Sequence, residues 1–173
     1  MTIGPPLAGL VRLESLLVRA IRLCLGVGLI AMVALNVINA IGRYSGMMSL
    51  VGADELLVYG MIWIVMLGAI LAARDRDHLS INLLPAGLSG TAATALRLFI
   101  DLVTLIIAGF VAWHSAAFIE RIAMIGQTSM GLAVPMTVPH AAIFVGFAGI
   151  ALVTAVLLAA DLYKLVGKAE TRT

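Results

Sequence analysis

Residues 52–84 read GADELLVYGMIWIVMLGAILAARDRDHLSINLL, and this stretch decides the fold. It opens with the acidic pair Asp54 and Glu55, continues through eighteen uncharged residues from Leu56 to Ala73, and closes with the charged run at 74–78. Because an α-helix rises 1.5 Å per residue, eighteen residues span about 27 Å, close to the ~30 Å hydrocarbon core of a bilayer. The stretch therefore predicts a membrane-spanning helix with a different polar signature at each end.

The composition of the whole chain agrees with a membrane protein. Its 173 residues are 62% hydrophobic and 12% charged, about half the charged fraction of an ordinary soluble domain. The net charge of +2 is too small, and too clustered near predicted helix ends, to indicate a nucleic-acid partner. Cys24 is the single cysteine, which excludes an internal disulfide or a metal cluster built on cysteines. We expect one membrane domain over residues 1–173.

Three further apolar runs complete an all-α integral membrane protein with four transmembrane helices. The predicted spans are 23–41, 56–73, 102–119 and 139–160. Before the first span, residues 7–22 place leucines at helical spacing with charged residues off that stripe, which predicts an amphipathic helix on the membrane surface. Residues 74–91 predict an interfacial elbow between spans two and three, and residues 120–138 predict a loop.

The distribution of basic residues predicts the orientation. Four spans place both termini on one side of the membrane. Of the eleven lysines and arginines, only Arg43 and Arg121 then fall on the opposite side. By the positive-inside rule, both termini are cytoplasmic, and the loop 120–138 lies outside with Asp54 and Glu55.

No pattern in the chain indicates an enzyme or a bound cofactor. It has no phosphate-binding loop, no nucleophile elbow and no paired-cysteine motif. Arg97 and Asp101 are one helical turn apart, and we interpret them as a structural ion pair. His114 and His140 fall near the same end of spans three and four, so a haem-bearing redox subunit is an alternative, because bundles ligate haem through histidines on facing helices. A stand-alone four-helix carrier is a second alternative.

Small and polar residues indicate where a partner protein would pack. Gly60 and Gly68, eight residues apart, share one face of span two near Trp63. Gly68 would pack either against a partner or against the chain's own helices. The remaining candidates for partner contact lie at the ends of the spans: Arg43, Asp54, Glu55, Arg74 and His78. For the acidic pair the favourable helix dipole is an equally good explanation.

The order and spacing of these residues resemble the small membrane subunit, the DctQ-like component, of tripartite ATP-independent periplasmic (TRAP) transporters. The resemblance covers about residues 15–165. The matching positions are, in order, Arg43; Asp54 and Glu55; Trp63 with 67–69; Arg74 with the sequence HLSIN at 78–82; Ser129 and Leu132; and 135–136 with 146–147. The chain departs from the family pattern at four positions: Asn82 replaces an acid, Thr137 and Val138 replace aromatics, and Phe144 replaces a proline.

The resemblance implies a role in the bacterial inner membrane. Such subunits are fixed scaffolds for a large membrane subunit, which carries the ion and substrate sites and moves as an elevator. A periplasmic binding protein delivers the organic acid. The partners implied for this chain are therefore the large TRAP membrane subunit, the periplasmic substrate-binding protein and membrane lipid.

Overall fold

The computed structural model describes residues 5–46, 51–75 and 91–170, and the described residues form four long helices. These are α1 (Pro5–Tyr44), α2 (Ala53–Asp75), α3 (Thr91–Ile125) and α4 (Thr137–Glu170). Each contains a segment long and apolar enough to cross a membrane: 14–44, 53–75, 93–125 and 137–163. The prediction of an all-α fold with four spans is confirmed.

Helix α1 joins two predicted elements. The expected surface helix at 7–22 and the first span continue without a break through 40 residues. No proline or glycine lies between Gly9 and Gly26 to interrupt the backbone hydrogen bonds, and leucine, alanine and arginine favour helix there. Pro5 begins the helix, where its missing N–H costs nothing. Beyond Tyr44, Gly46 adopts φ +68°, a left-handed conformation that glycine enters without strain.

Helix α3 is longer than expected at its C-terminal end. The residues 120–125, predicted as loop, are helical. The helix ends where Gly126 adopts φ +66° and donates its N–H to the carbonyl of Ile122, a C-terminal glycine cap. The following loop is ordered as a small hairpin: Thr128 and Pro135 form an antiparallel bridge, and the Ser129 N–H donates to the Val134 carbonyl at 2.9 Å.

The four helices form an open row rather than a closed bundle. Among the described residues, the substantial helix pairs are α1 with α2, α2 with α4, and α4 with α3. The order across the row is therefore α1–α2–α4–α3. The buried cluster shared by α2, α3 and α4 consists of Ala73, Ala108 and Ile150, and two of these three side chains are small. Small side chains let helix backbones approach closely, which is how membrane helices gain packing energy without a hydrophobic driving force.

Two glycines let α4 pack closely on α2. A Cβ atom built on Gly146 would lie 2.7 Å from Met66 Sδ and 2.8 Å from Met66 Cβ, and one on Gly149 would lie 2.5 Å from Ile70 Cδ1. Real Cβ atoms do not approach other atoms this closely, so a side chain at either position would force α2 side chains or the helices themselves to shift. One face of α4 is thus a glycine surface into which α2 side chains fit.

Most large apolar side chains point outward. Leu23, Ile30 and Ile41 on α1, and Phe99 and Trp113 on α3, are each more than half exposed. A soluble domain does not expose so large an apolar surface to water. The exposed surface is matched to lipid or to the helices of another membrane protein.

Candidate functional site

Polar residues, some of them predicted from the sequence, gather at the two ends of the helices α1 and α2. We call the first group the loop-end cluster: Asn39, Arg43, Asp54 and Glu55, beside the loop 126–136. We call the second the terminal-end cluster: Glu14, Arg22, Arg74 and Asp75.

Asp54 links α1 to α2 at the loop end. Its carboxylate accepts a hydrogen bond from Asn39 Nδ2 at 3.3 Å and forms an ion pair with Arg43 at 3.2 Å. Asn39 is 4% exposed, and a buried amide needs such a partner. Asn39 on α1 therefore faces α2 of the same chain. The ion pair itself is exposed, and pairs of this kind contribute at most about 1 kcal/mol.

Glu55 holds the loop 126–136 against the start of α2. Its two carboxylate oxygens accept the backbone N–H groups of Gly131 at 2.8 Å and Leu132 at 3.0 Å. The Leu132 side chain lies over Gly52, where an added Cβ would be 2.5 Å from Leu132 Cγ. Gly52 also adopts φ +81°, so both its space and its conformation favour glycine. One carboxylate thus binds two adjacent loop amides, which fixes the hairpin on α2.

The terminal-end cluster ties the early part of α1 to the end of α2. Arg74 donates to Glu14 Oε1 from Nη2 at 2.8 Å and from Nε at 3.1 Å, and to Asp75 at 2.9 Å. Arg22 pairs with the other oxygen of Asp75. The predicted partner-contact residue Arg74 therefore already has two carboxylates of its own chain. This arrangement explains why the charged residues of 14–22 stay alongside α2.

The glycines of α2 differ from each other. A Cβ on Gly60 would lie 3.0 Å from Met32 Sδ, so this position packs on α1. A Cβ on Gly68 would meet nothing within 4 Å. Trp63 is half-buried. Only Gly68 presents open space, which favours a partner or lipid over the chain's own helices at that position.

Three other predicted features remain predictions. Arg97 is exposed and Asp101 half-buried on α3, one turn apart as expected, but no described contact establishes their ion pair. His78 and the proposed elbow lie outside the described residues. Contact with a partner protein likewise stays a prediction for Arg43, Asp54, Glu55 and the rest of that set.

The two histidines of the alternative redox hypothesis line one groove between α3 and α4. The groove has a volume of about 480 Å³ and is lined by Phe110, Val111, His114, Ser115, Ala117, Phe118, Arg121, His140 and Ile143. His140 Nδ1 lies 2.6 Å from the Met136 carbonyl oxygen, so Nδ1 carries a proton and donates it. In the described part of the chain, no three His, Cys, Asp or Glu residues are grouped to hold a metal ion.

Several structural residues were not found from the sequence. Gly146 was predicted only as part of the family resemblance, and Gly149 was not predicted at all. Their spacing of three residues in an apolar span nevertheless indicates close helix packing. Glu14 and Arg22 were read only as the polar face of a surface helix. Their pairing with α2 depends on how two separate helices align, which no local pattern shows.

Chemically, the two clusters join helices and a loop, and they make no arrangement of nucleophile, base and electrophile. The sequence matches the model of the family described as "Tripartite ATP-independent periplasmic transporters, DctQ component" over residues 18–163. No curated protein gives a significant match. The matched region contains the second, third and fourth candidate spans completely, and all of the first span except residues 14–17.

Proposed function

This chain belongs to the family of DctQ components of tripartite ATP-independent periplasmic transporters, and we propose that it scaffolds the large membrane subunit. As a member of that family it is a multi-pass small membrane subunit of a transporter rather than an enzyme. That subunit would carry the ion and substrate sites and move as an elevator. Uptake would be ion-coupled, and a periplasmic binding protein would deliver an organic acid.

The open row of helices is the observation that supports the scaffold role. In a closed bundle each helix turns its apolar residues toward a shared interior, whereas here the four helices lie side by side and expose apolar residues along the row. A row of this kind can lie flat against a larger membrane protein and widen its anchor in the bilayer. The ion pairs hold α1 against α2, and the Glu55 contacts hold the loop 126–136 against the start of α2.

The orientation belongs to the same proposal: an inner-membrane protein with both termini in the cytoplasm. The loop 126–136, held by Glu55, then faces the periplasm, where it offers a surface to the binding protein. A reporter that is active only in the periplasm should be silent when fused after Thr173 and active when inserted in 124–134. The opposite pattern of activity would reverse the orientation.

The experiment that tests the function is co-purification combined with uptake. A tag on this chain should retain a much larger membrane protein after detergent extraction. Substrate uptake in proteoliposomes should require both chains and be absent with this chain alone. Uptake by this chain alone would instead support the stand-alone carrier, and loss of the large protein under mild extraction with uptake intact would contradict the scaffold.

The shared groove of His114 and His140 is the observation that favours the redox alternative. An absorption spectrum of the purified chain separates it from the scaffold. We expect no Soret band. A Soret band that disappears in His114→Ala would overturn the transport assignment in favour of a haem subunit.

A further inference from the structure

The groove between α3 and α4 has a polar end and an apolar body. Arg121 lies one turn before the end of α3, and His140 lies in the first turns of α4, so both are at the loop end of the helices. Phe110, Val111 and Ile143 line the part that runs toward the middle of the helices, together with the polar side chains of His114 and Ser115. A groove that is cationic at the helix ends and mostly apolar along its length matches an amphiphile with an anionic head.

Arg121 supplies the positive charge at the polar end. Its side chain is exposed, and it forms no ion pair with any residue in the described ranges. Arg43, on the same membrane side, differs because Asp54 neutralises it at 3.2 Å. A guanidinium presents several N–H donors in a plane, a geometry suited to phosphate oxygens.

The walls of the groove are fixed by local contacts. The His140 ring donates from Nδ1 to the Met136 carbonyl and packs on Phe118 with ring centroids 5.0 Å apart. On the other helix, the His114 ring packs on Phe110 at 4.3 Å. Aromatic pairs at these separations are favourable. These contacts hold both histidine rings in the walls of the groove.

The length of the groove matches one acyl chain. From Phe110 to Arg121 is eleven residues of helix, or about 16 Å, which is about half of a ~30 Å hydrocarbon core. Each leaflet contributes half of that core, so one acyl chain extended along the helices covers the same length.

We propose that this groove binds one anionic phospholipid of the leaflet at the loop end, with its phosphate on Arg121 and one acyl chain between α3 and α4. The proposal does not depend on the transport function. Bound in this way, the lipid would fill the space between the ends of the two helices and stabilise their packing.

Native mass spectrometry of the full-length chain tests this proposal. The probes are phosphatidylglycerol and phosphatidylcholine with identical acyl chains. We expect one phosphatidylglycerol to be retained under conditions that remove phosphatidylcholine. Arg121→Gln should weaken that binding about tenfold, the scale of one hydrogen bond to a charged group. Arg43→Gln removes the same charge at the same membrane side and should leave binding unchanged.

A second variant separates the groove from simple surface attraction. Ala117→Phe fills the groove but keeps Arg121, so it should also release phosphatidylglycerol while helix content and thermal unfolding stay near wild type. If this variant fails to fold, Arg121→Gln decides alone, because truncating an exposed side chain leaves no cavity. Equal binding of the two lipids, wild-type binding by Arg121→Gln, or retention by a folded Ala117→Phe would each overturn the proposal.

Discussion

Replacing Gly146 with alanine tests the close packing of α4 on α2. The added methyl group would lie 2.7 Å from Met66 Sδ, 2.8 Å from Met66 Cβ and 3.1 Å from Met66 Cγ. The sulfur can rotate away, but the Met66 Cβ is fixed by the α2 backbone. The helices must therefore separate locally to admit the methyl group, and contacts on either side of it weaken.

The size of the effect follows from two opposing terms. Overpacking a well-packed contact costs about 1–3 kcal/mol, and alanine gains up to about 1 kcal/mol over glycine in helix propensity. Gly109→Ala on α3 is the matched control, because its Cβ would meet nothing within 4 Å. It gains the same propensity without the clash. The difference between the two variants in free energy of unfolding isolates the packing term, which we expect to be about 1–3 kcal/mol.

Reversible unfolding in mixed micelles, followed through the fluorescence of Trp63 and Trp113, gives this difference. Gly149→Ala should fall between the other two variants. Its nearest contact is the far end of the Ile70 side chain at 2.5 Å, which can move more cheaply. Equal stability of Gly146→Ala and Gly109→Ala would refute the reasoning, because it would mean that α2 and α4 do not approach as closely as described.

Three further perturbations follow from the contacts at the ends and on the face of α2. Glu55→Ala should speed hydrogen exchange at the two loop amides that Glu55 binds, whereas Glu120→Ala, which deletes an exposed carboxylate on α3, should not. Unchanged exchange in Glu55→Ala would mean that the loop keeps its shape without this contact. Gly60→Leu should reduce accumulation of the protein because the leucine would clash with α1, whereas Gly68→Leu should accumulate normally and lose co-purification with the large subunit. Normal uptake by both variants would mean that these faces of α2 contact lipid. Arg74→Gln should lower the free energy of unfolding by no more than about 1 kcal/mol, and less at high salt, as expected for exposed ion pairs; a larger loss would show that the cluster is shielded from solvent.

The sequence alone predicted the elements of this protein and its family. Runs of eighteen or more apolar residues are sufficient to identify spans, because lipid satisfies no backbone hydrogen bond and only a helix of that length satisfies its own. The boundary errors have local causes. Residues 120–125 are polar enough to resemble a loop, but nothing breaks the helix before Gly126. The prediction divided the surface helix from the first span on the basis of charge alone, whereas the helical backbone continues through both segments.

Only the tertiary structure decided the order of the helices and the partners of the polar residues. In lipid, a side chain that faces another helix is as apolar as one that faces the bilayer, so hydropathy cannot show which faces meet. Gly60 and Gly68 look alike in sequence, yet one packs on Met32 and the other faces open space. Arg74 and Glu14 are 60 residues apart and become neighbours only because α1 and α2 lie side by side. Pairing of this kind depends on helix alignment, a long-range property that the residues of neither helix specify by themselves.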